Sequence, residues 1–281
     1  MAAPFFSTPF QPYVYQSPQE VVTAFQILGG DSQIVQIMLK SQEKVTAKPG
    51  TMCFTSGSIQ MDNNYFPENE GGIWQWLFGK RLSSIVLFNP GPDDGFVGIA
   101  APSLARILPI DLANFGGQIL IRSDAFLCSL NDVTVVSTTD QRAQNVDAGA
   151  EVILKQKLRG QGLAFLVGGG SVVQKILEDG EVLVVDAASI VAMTSAIGFQ
   201  LKNSNQMRRA VFGGDNQLTA ILTGPGVVFI QSLPFLRFSQ RIARAVAAPS
   251  LRDNPKFLIQ IVLFFCLAYV MIVSSILLTD V

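Results

Sequence analysis

Asp93 and Asp94 stand side by side in the loop Asn-Pro-Gly-Pro-Asp-Asp-Gly at 89–95, where two carboxylates could hold a hard cation. Without further ligands nearby, two adjacent acids form a solvated turn, so neither a metal nor any other cofactor is expected. The chain has no His at all. Ser-His-Asp and Cys-His mechanisms are therefore excluded, as are imidazole metal sites and the metal chemistry of cupin-like barrels. The glycine clusters at 168–170 and 224–226 invite comparison with phosphate loops. None ends in Gly-Lys-Ser/Thr, and Gly224-Pro225-Gly226 lacks the third glycine and the following helix, so these are turn glycines. Trp74, Trp76, Lys80 and Arg81 form an aromatic-basic cluster. It reads either as a surface for a partner or stacked bases, or as the amphipathic end of a covering helix. No catalytic residues emerge, and an enzyme is not expected.

The three cysteines, Cys53, Cys128 and Cys266, are far apart and form no Cys-X-X-Cys pair. They read as reduced structural thiols in a non-secretory compartment, and no Asn-X-Ser/Thr sequon contradicts this. Of 281 residues, 49% are hydrophobic and 15% charged, with 20 Lys plus Arg against 21 Asp plus Glu. So much apolar surface at so little net charge excludes disorder as the main state. The even charge balance argues against nucleic acid as a partner, because no excess of cations exists to displace counterions from phosphates.

The elements that must position any site are strands. Between residues 25 and 234, short runs of β-branched and aromatic residues alternate with breakers at 28–31, 48–50, 89–95, 168–170, 178–180, 212–215 and 223–226. The apolar stretch 182–197 contains Asp186 and is expected to form two core strands rather than a membrane span. Helices are expected only at 73–78 and 143–158. Residues 1–24 read as a flexible Pro-rich arm.

The body repeats. At a constant offset of 138, Gln36 matches Gln174, Leu39 matches Leu177, Glu43 matches Glu181 and Ile59 matches Ile197. At an offset of 74, a weaker copy puts Lys48 on Arg122, Met52 on Phe126 and Ile59 on Val133. A glycine-strand-glycine element recurs at 78–91, 158–170 and 212–226. Because the chain starts and stops in mid-repeat, the N-terminal strands at 35–61 are expected to pair with the C-terminal ones at 212–230. That pairing would close a three-fold ring and remove exposed edges.

The glycine elements, the repeat layout and the segment 208–235 (RRAVFGGDNQLTAILTGPGVVFIQSLPF) resemble the altered-inheritance-of-mitochondria or mitochondrial biogenesis family. These proteins are also called TRAP-like, after the tryptophan RNA-binding attenuator protein. The resemblance covers about residues 25–235, and plant-type members look like this chain, with a C-terminal span. It departs from the family pattern at Lys80-Arg81, where an acidic residue often follows the glycine. The resemblance implies a mainly β, triplicated TRAP-like double-stranded β-helix or barrel body with few short helices, one that self-associates. It implies a mitochondrial address, and the fungal members are linked to inner-membrane organisation. It carries no catalytic residues.

The C-terminal segment is the last element. Residues 257–278 carry no charge, and as a helix would be about 33 Å long at ~1.5 Å per residue. A transmembrane tail anchor is expected there, the alternative being a buried core helix. Arg237, Arg241, Arg244, Arg252 and Lys256 precede it and no cation follows, which places the bulk of the chain on the cytosolic side. Within the juxtamembrane segment 235–256, Phe235, Phe238, Ile242 and Val246 fall on one side of a helical wheel, opposite Arg237, Arg241 and Arg244. Such a helix suits an anionic membrane surface, or equally the surface of its own domain with the arginines solvated. The expected function is a non-enzymatic, homo-oligomeric membrane-anchored scaffold in mitochondrial membrane organisation. The alternative is a ligand- or RNA-binding module tethered by its tail, and the alternative compartment is the endoplasmic reticulum.

Overall fold

The computed structural model describes residues 10–15, 25–65, 82–130, 132–137, 153–203, 218–251 and 255–279. The chain forms two compact units, 1–234 and 235–281. In the first, among the described residues, a short strand β1 (Gln11–Pro12) and strand β2 (Phe25–Gly29) precede eighteen strands that fall into three sets of six. The first set is β3 (Gln33–Leu39), β4 (Lys44–Ala47), β5 (Met52–Thr55), β6 (Gln60–Tyr65), β7 (Leu82–Phe88) and β8 (Gly95–Ala100). The second is β9 (Ala105–Asp111), β10 (Gln118–Ile121), β11 (Phe126–Leu130), β12 (Thr134–Ser137), β13 (Gln156–Arg159) and β14 (Leu163–Gly169). The third is β15 (Val172–Leu177), β16 (Val182–Asp186), β17 (Ile190–Met193), β18 (Gly198–Asn203), β19 (Leu218–Thr223) and β20 (Gly226–Gln231).

Each set is wired identically. The first strand pairs with the sixth and the sixth with the third; the second and fourth both pair with the fifth. All of these ladders are antiparallel. The matches extend to single positions. Leu87, Leu158 and Leu222 lie opposite Val45, Ile119 and Leu183, and all three leucines are fully buried. An irregularity in register recurs at one place in all three sets, between Met52 and Phe54, Phe126 and Cys128, and Ile190 and Ala192. Even the turn after the first strand is repeated. Glu43 accepts from the Lys40 amide at 2.9 Å, and Glu181 accepts from the Glu178 amide at 3.0 Å. The offset of 138 therefore marks a glutamate that satisfies the backbone of its own turn.

Consecutive sets are joined by one ladder each. β4 of the first pairs with β11 of the second, and β10 of the second pairs with β17 of the third. Four sheets result, of four, six, seven and three strands. Side chains alternate faces along each strand, so both faces of the two larger sheets are used. Phe165 and Val167 enter one core with Val35, Ile37, Leu87 and Ile99. Their neighbours Ala164 and Leu166 enter the next, with Ile119, Ile121 and Phe229. A third core gathers Val185, Ile190, Met193, Ala220 and Val228.

Several expectations are corrected. The three-fold ring is not closed: among the described residues, no strand of 35–61 pairs with a strand of 212–230. Residues 156–158, expected to end a helix, lie in β13, because Leu158 is fully buried between partners Ile119 and Val135. The rest of that expected helix up to residue 152, and all of 73–78, lie outside the described residues. Stretch 182–197 does form two strands, β16 and β17, separated by a 3-10 turn capped by Asp186. The described part of the expected flexible arm is docked, with Gln11 and Pro12 paired to β15.

The second unit holds helices α1 (Phe235–Leu251) and α2 (Pro255–Thr279). The expected C-terminal transmembrane helix is overturned: among the described residues, no helix is long and apolar enough to cross a membrane. Within α2 the run free of polar residues is 261–273, bounded by Gln260 and Ser274. That is about 20 Å at ~1.5 Å per residue, against a hydrocarbon core of about 30 Å.

Candidate functional site

The buried ionisable groups of the body serve the fold. Lys175 is fully buried, and its Nζ lies 2.6 Å from Glu181 Oε1 and 3.3 Å from the Ile176 carbonyl oxygen. Glu181 thus bridges the ammonium and the amide of Glu178. Asp111 caps the 3-10 turn Leu112–Phe115 by accepting from the Ala113 amide, and Asp186 caps the turn Ala187–Ser189 in the same way. Arg122 makes a two-pronged pair with Asp124 at 2.9 and 3.0 Å and donates to the Ala188 carbonyl, bracing the second joint. Burial pushes the Cys128 thiol well above its usual range, so it stays protonated and inert. Among the described residues, no group of three His, Cys, Asp or Glu could hold a metal ion. Asp93 and Asp94 are exposed, and the Asp93 carbonyl accepts from Asn89 Nδ2 at 2.8 Å within the turn.

One group was not legible beforehand. Tyr13 donates its hydroxyl to the Pro109 carbonyl at 2.6 Å, and its ring meets the edge of Phe229 at 5.2 Å. The arm thus touches the second and third sets at once. The Tyr13 pKa is pushed up to about 12, first by burial and then by Tyr15 and Asp111. Nothing local in a Pro-rich segment signals contacts nearly a hundred residues away.

Among the candidate surface residues, Trp74, Trp76, Lys80 and Arg81 lie outside the described residues. The other group is on α1. Phe235 and Ile242 are exposed, Phe238 is partly buried, and Val246 is 74% exposed. Arg241 is exposed and Arg237 partly buried. At 100° per residue, Phe235, Phe238, Ile242 and Val246 span an arc of about 80°, and positions 237, 241 and 244 fill an arc of about 60° across from it. The helix therefore presents a narrow apolar strip on one side and a cationic one on the other.

Two comparisons bear on this architecture. Residues 25–233 match the family described as mitochondrial biogenesis AIM24. The X-ray crystal structure of protein SPYM3_0169 from Streptococcus pyogenes is similar in fold, with a TM-score of 0.59 at 19% identity. The match covers 79% of this chain and 98% of that one. No curated protein matches the chain.

Proposed function

The chain belongs to the mitochondrial biogenesis AIM24 family, which gives it a role related to mitochondrial biogenesis, and we propose that it fills this role as a non-enzymatic, self-associating β-scaffold resting on an anionic membrane surface. The observation that carries the reading is the two-sided character of α1. Phe235, Phe238, Ile242 and Val246 form one strip, with Arg237, Arg241 and position 244 on the other side. A helix of this kind lies in the interface plane, its apolar strip among the upper acyl chains and its arginines among lipid phosphates. Each cation near such a surface adds roughly 1 kcal/mol of attraction, screened by salt. The use of Lys175, Glu181, Asp111, Asp186 and Arg122 in turns and joints supports a body that holds shape rather than turns over substrate.

Cosedimentation of the full chain with vesicles tests this. Binding is expected to vesicles containing anionic lipid, to be weak on purely zwitterionic ones, and to fall with salt. The variant Arg241→Glu/Arg244→Glu should lose most of it. Equal binding to both vesicle types, or no effect of the charge reversal, would overturn the membrane-surface reading.

A further inference from the structure

The chain makes the same joint twice and carries the two halves of a third. In the first joint Ala47 lies opposite Cys128 and Thr46 opposite Ser129. In the second, Ile121 lies opposite Ala192 and Leu120 opposite Met193. The repeat places Ala47, Ile121 and Val185 at one equivalent position, since each faces the fifth strand of its set in the same register. It places Cys128, Ala192 and Phe54 at another, since each follows the recurrent irregularity and faces the sixth strand. The same rule that matches Ala47 with Cys128 and Ile121 with Ala192 thus matches Val185 with Phe54, and Val184 with Thr55. Yet β5 and β16 each end a sheet, and among the described residues neither pairs on its outer side.

Exposure marks these halves as unjoined. Cys128, Ser129, Ala192 and Met193 are all buried, whereas Phe54 and Thr55 are partly exposed. Leu120 is 9% exposed, but its equivalent Val184 is 40% exposed and neighbouring Val182 58%. Phe96, beside Phe54 at the first-set end, is 42% exposed. Unpaired strand edges with apolar side chains are templates for another strand.

We propose that a second copy of this chain completes the joint. Residues 182–185 of β16 in one copy pair antiparallel with β5 of the next, Val185 opposite Phe54 and Val184 opposite Thr55. The two surfaces differ, so the contact is head-to-tail: it forms a ring if the rotation closes and a filament if it does not. This deepens the self-association named above by identifying the surface and its register.

The test uses the full chain with Cys53→Ser and Cys266→Ser, leaving only buried Cys128. Thr55→Cys and Val184→Cys are made separately in chains of different size and mixed under mild oxidation. A mixed disulfide is expected only when both variants are present, and a Thr55→Cys/Val182→Cys mixture should give at least about fivefold less, being out of register. Val184→Lys, which adds a charge to the exposed edge without touching a core, should weaken association by roughly tenfold or more in sedimentation. If the chain self-associates yet gives no mixed disulfide and ignores Val184→Lys, this joint is wrong and the scaffold reading stands. If the Thr55→Cys/Val184→Cys double variant forms its disulfide within a single chain at high dilution, the joint closes internally and the proposal fails. A chain that is monomeric at every concentration overturns both.

Discussion

Phe54 lies across Gly98, its ring filling the place where a side chain would stand: a Cβ on Gly98 would sit 2.3 Å from Phe54 Cζ. In the other two sets the same cross-strand pair is reversed in size. Phe165 faces Cys128 and Phe229 faces Ala192, all four fully buried. One pair of positions thus accommodates one aromatic ring, from either strand.

Gly98→Phe alone should therefore destabilise the body by about 2 kcal/mol through overpacking against Phe54. Phe54→Ala in the same chain should recover most of that loss, because it reproduces the arrangement of the third set. Chemical denaturation of the four members of this double-mutant cycle checks it, and simple additivity would contradict the equivalence.

Glu181→Ala should cost about 3 kcal/mol or more, because it takes the carboxylate from the fully buried ammonium of Lys175 and removes the acceptor of the Glu178 amide. Lys175→Met combined with Glu181→Gln should be markedly more stable than Glu181→Ala, since a buried charge no longer lacks its partner and the amide keeps an acceptor. Urea midpoints at constant slope would decide.

Tyr13 gives an alkaline signature. Its folded pKa of about 12 lies above the ordinary tyrosine value of 10.0. Between these values the unfolded chain releases a proton that the folded one retains, so stability falls as pH rises through that window and is unaffected by this group below it. Tyr13→Phe should flatten that part of the stability profile. It should also cost about 1 kcal/mol at neutral pH through the lost bond to Pro109.

The thiols should separate by location. Cys53 and Cys266 are exposed and Cys128 is buried. A thiol reagent at pH 8 should titrate the first two rapidly in the native protein, and Cys128 only on unfolding. Native reactivity at all three would mean that the joint between β4 and β11 opens readily.

The strands of the body were legible because β-branched runs lie between glycine and proline breakers, and Glu43 and Glu181 were found at their shared offset. Their partners were not, because pairing is long-range: Ala47 meets Cys128, and nothing near either residue encodes the other. The helix expected over 143–158 failed at its end for a related reason. Gln156, Lys157 and Leu158 have ordinary helical character, but strands on both sides capture their backbone. Counting repeats suggested a ring, yet a count of three cannot say whether the third joint is made, and the exposure of Val184 says it is not. At the tail, apolar composition was plain, but among the described residues no helix is long and apolar enough to cross a membrane. The amphipathic strip of α1 was readable from spacing alone, since both of its faces lie within one element.

The unequal lengths of the ladders have a mechanical consequence. Within a set, β9 and β14 share seven paired positions, whereas the two joints hold three and two. Of the two joints the β10–β17 ladder is the shorter, and cores shared by neighbouring sets carry load across both. Pulled in a single-molecule instrument, the body should yield first at β10 and β17, with Arg122 as the last tether there.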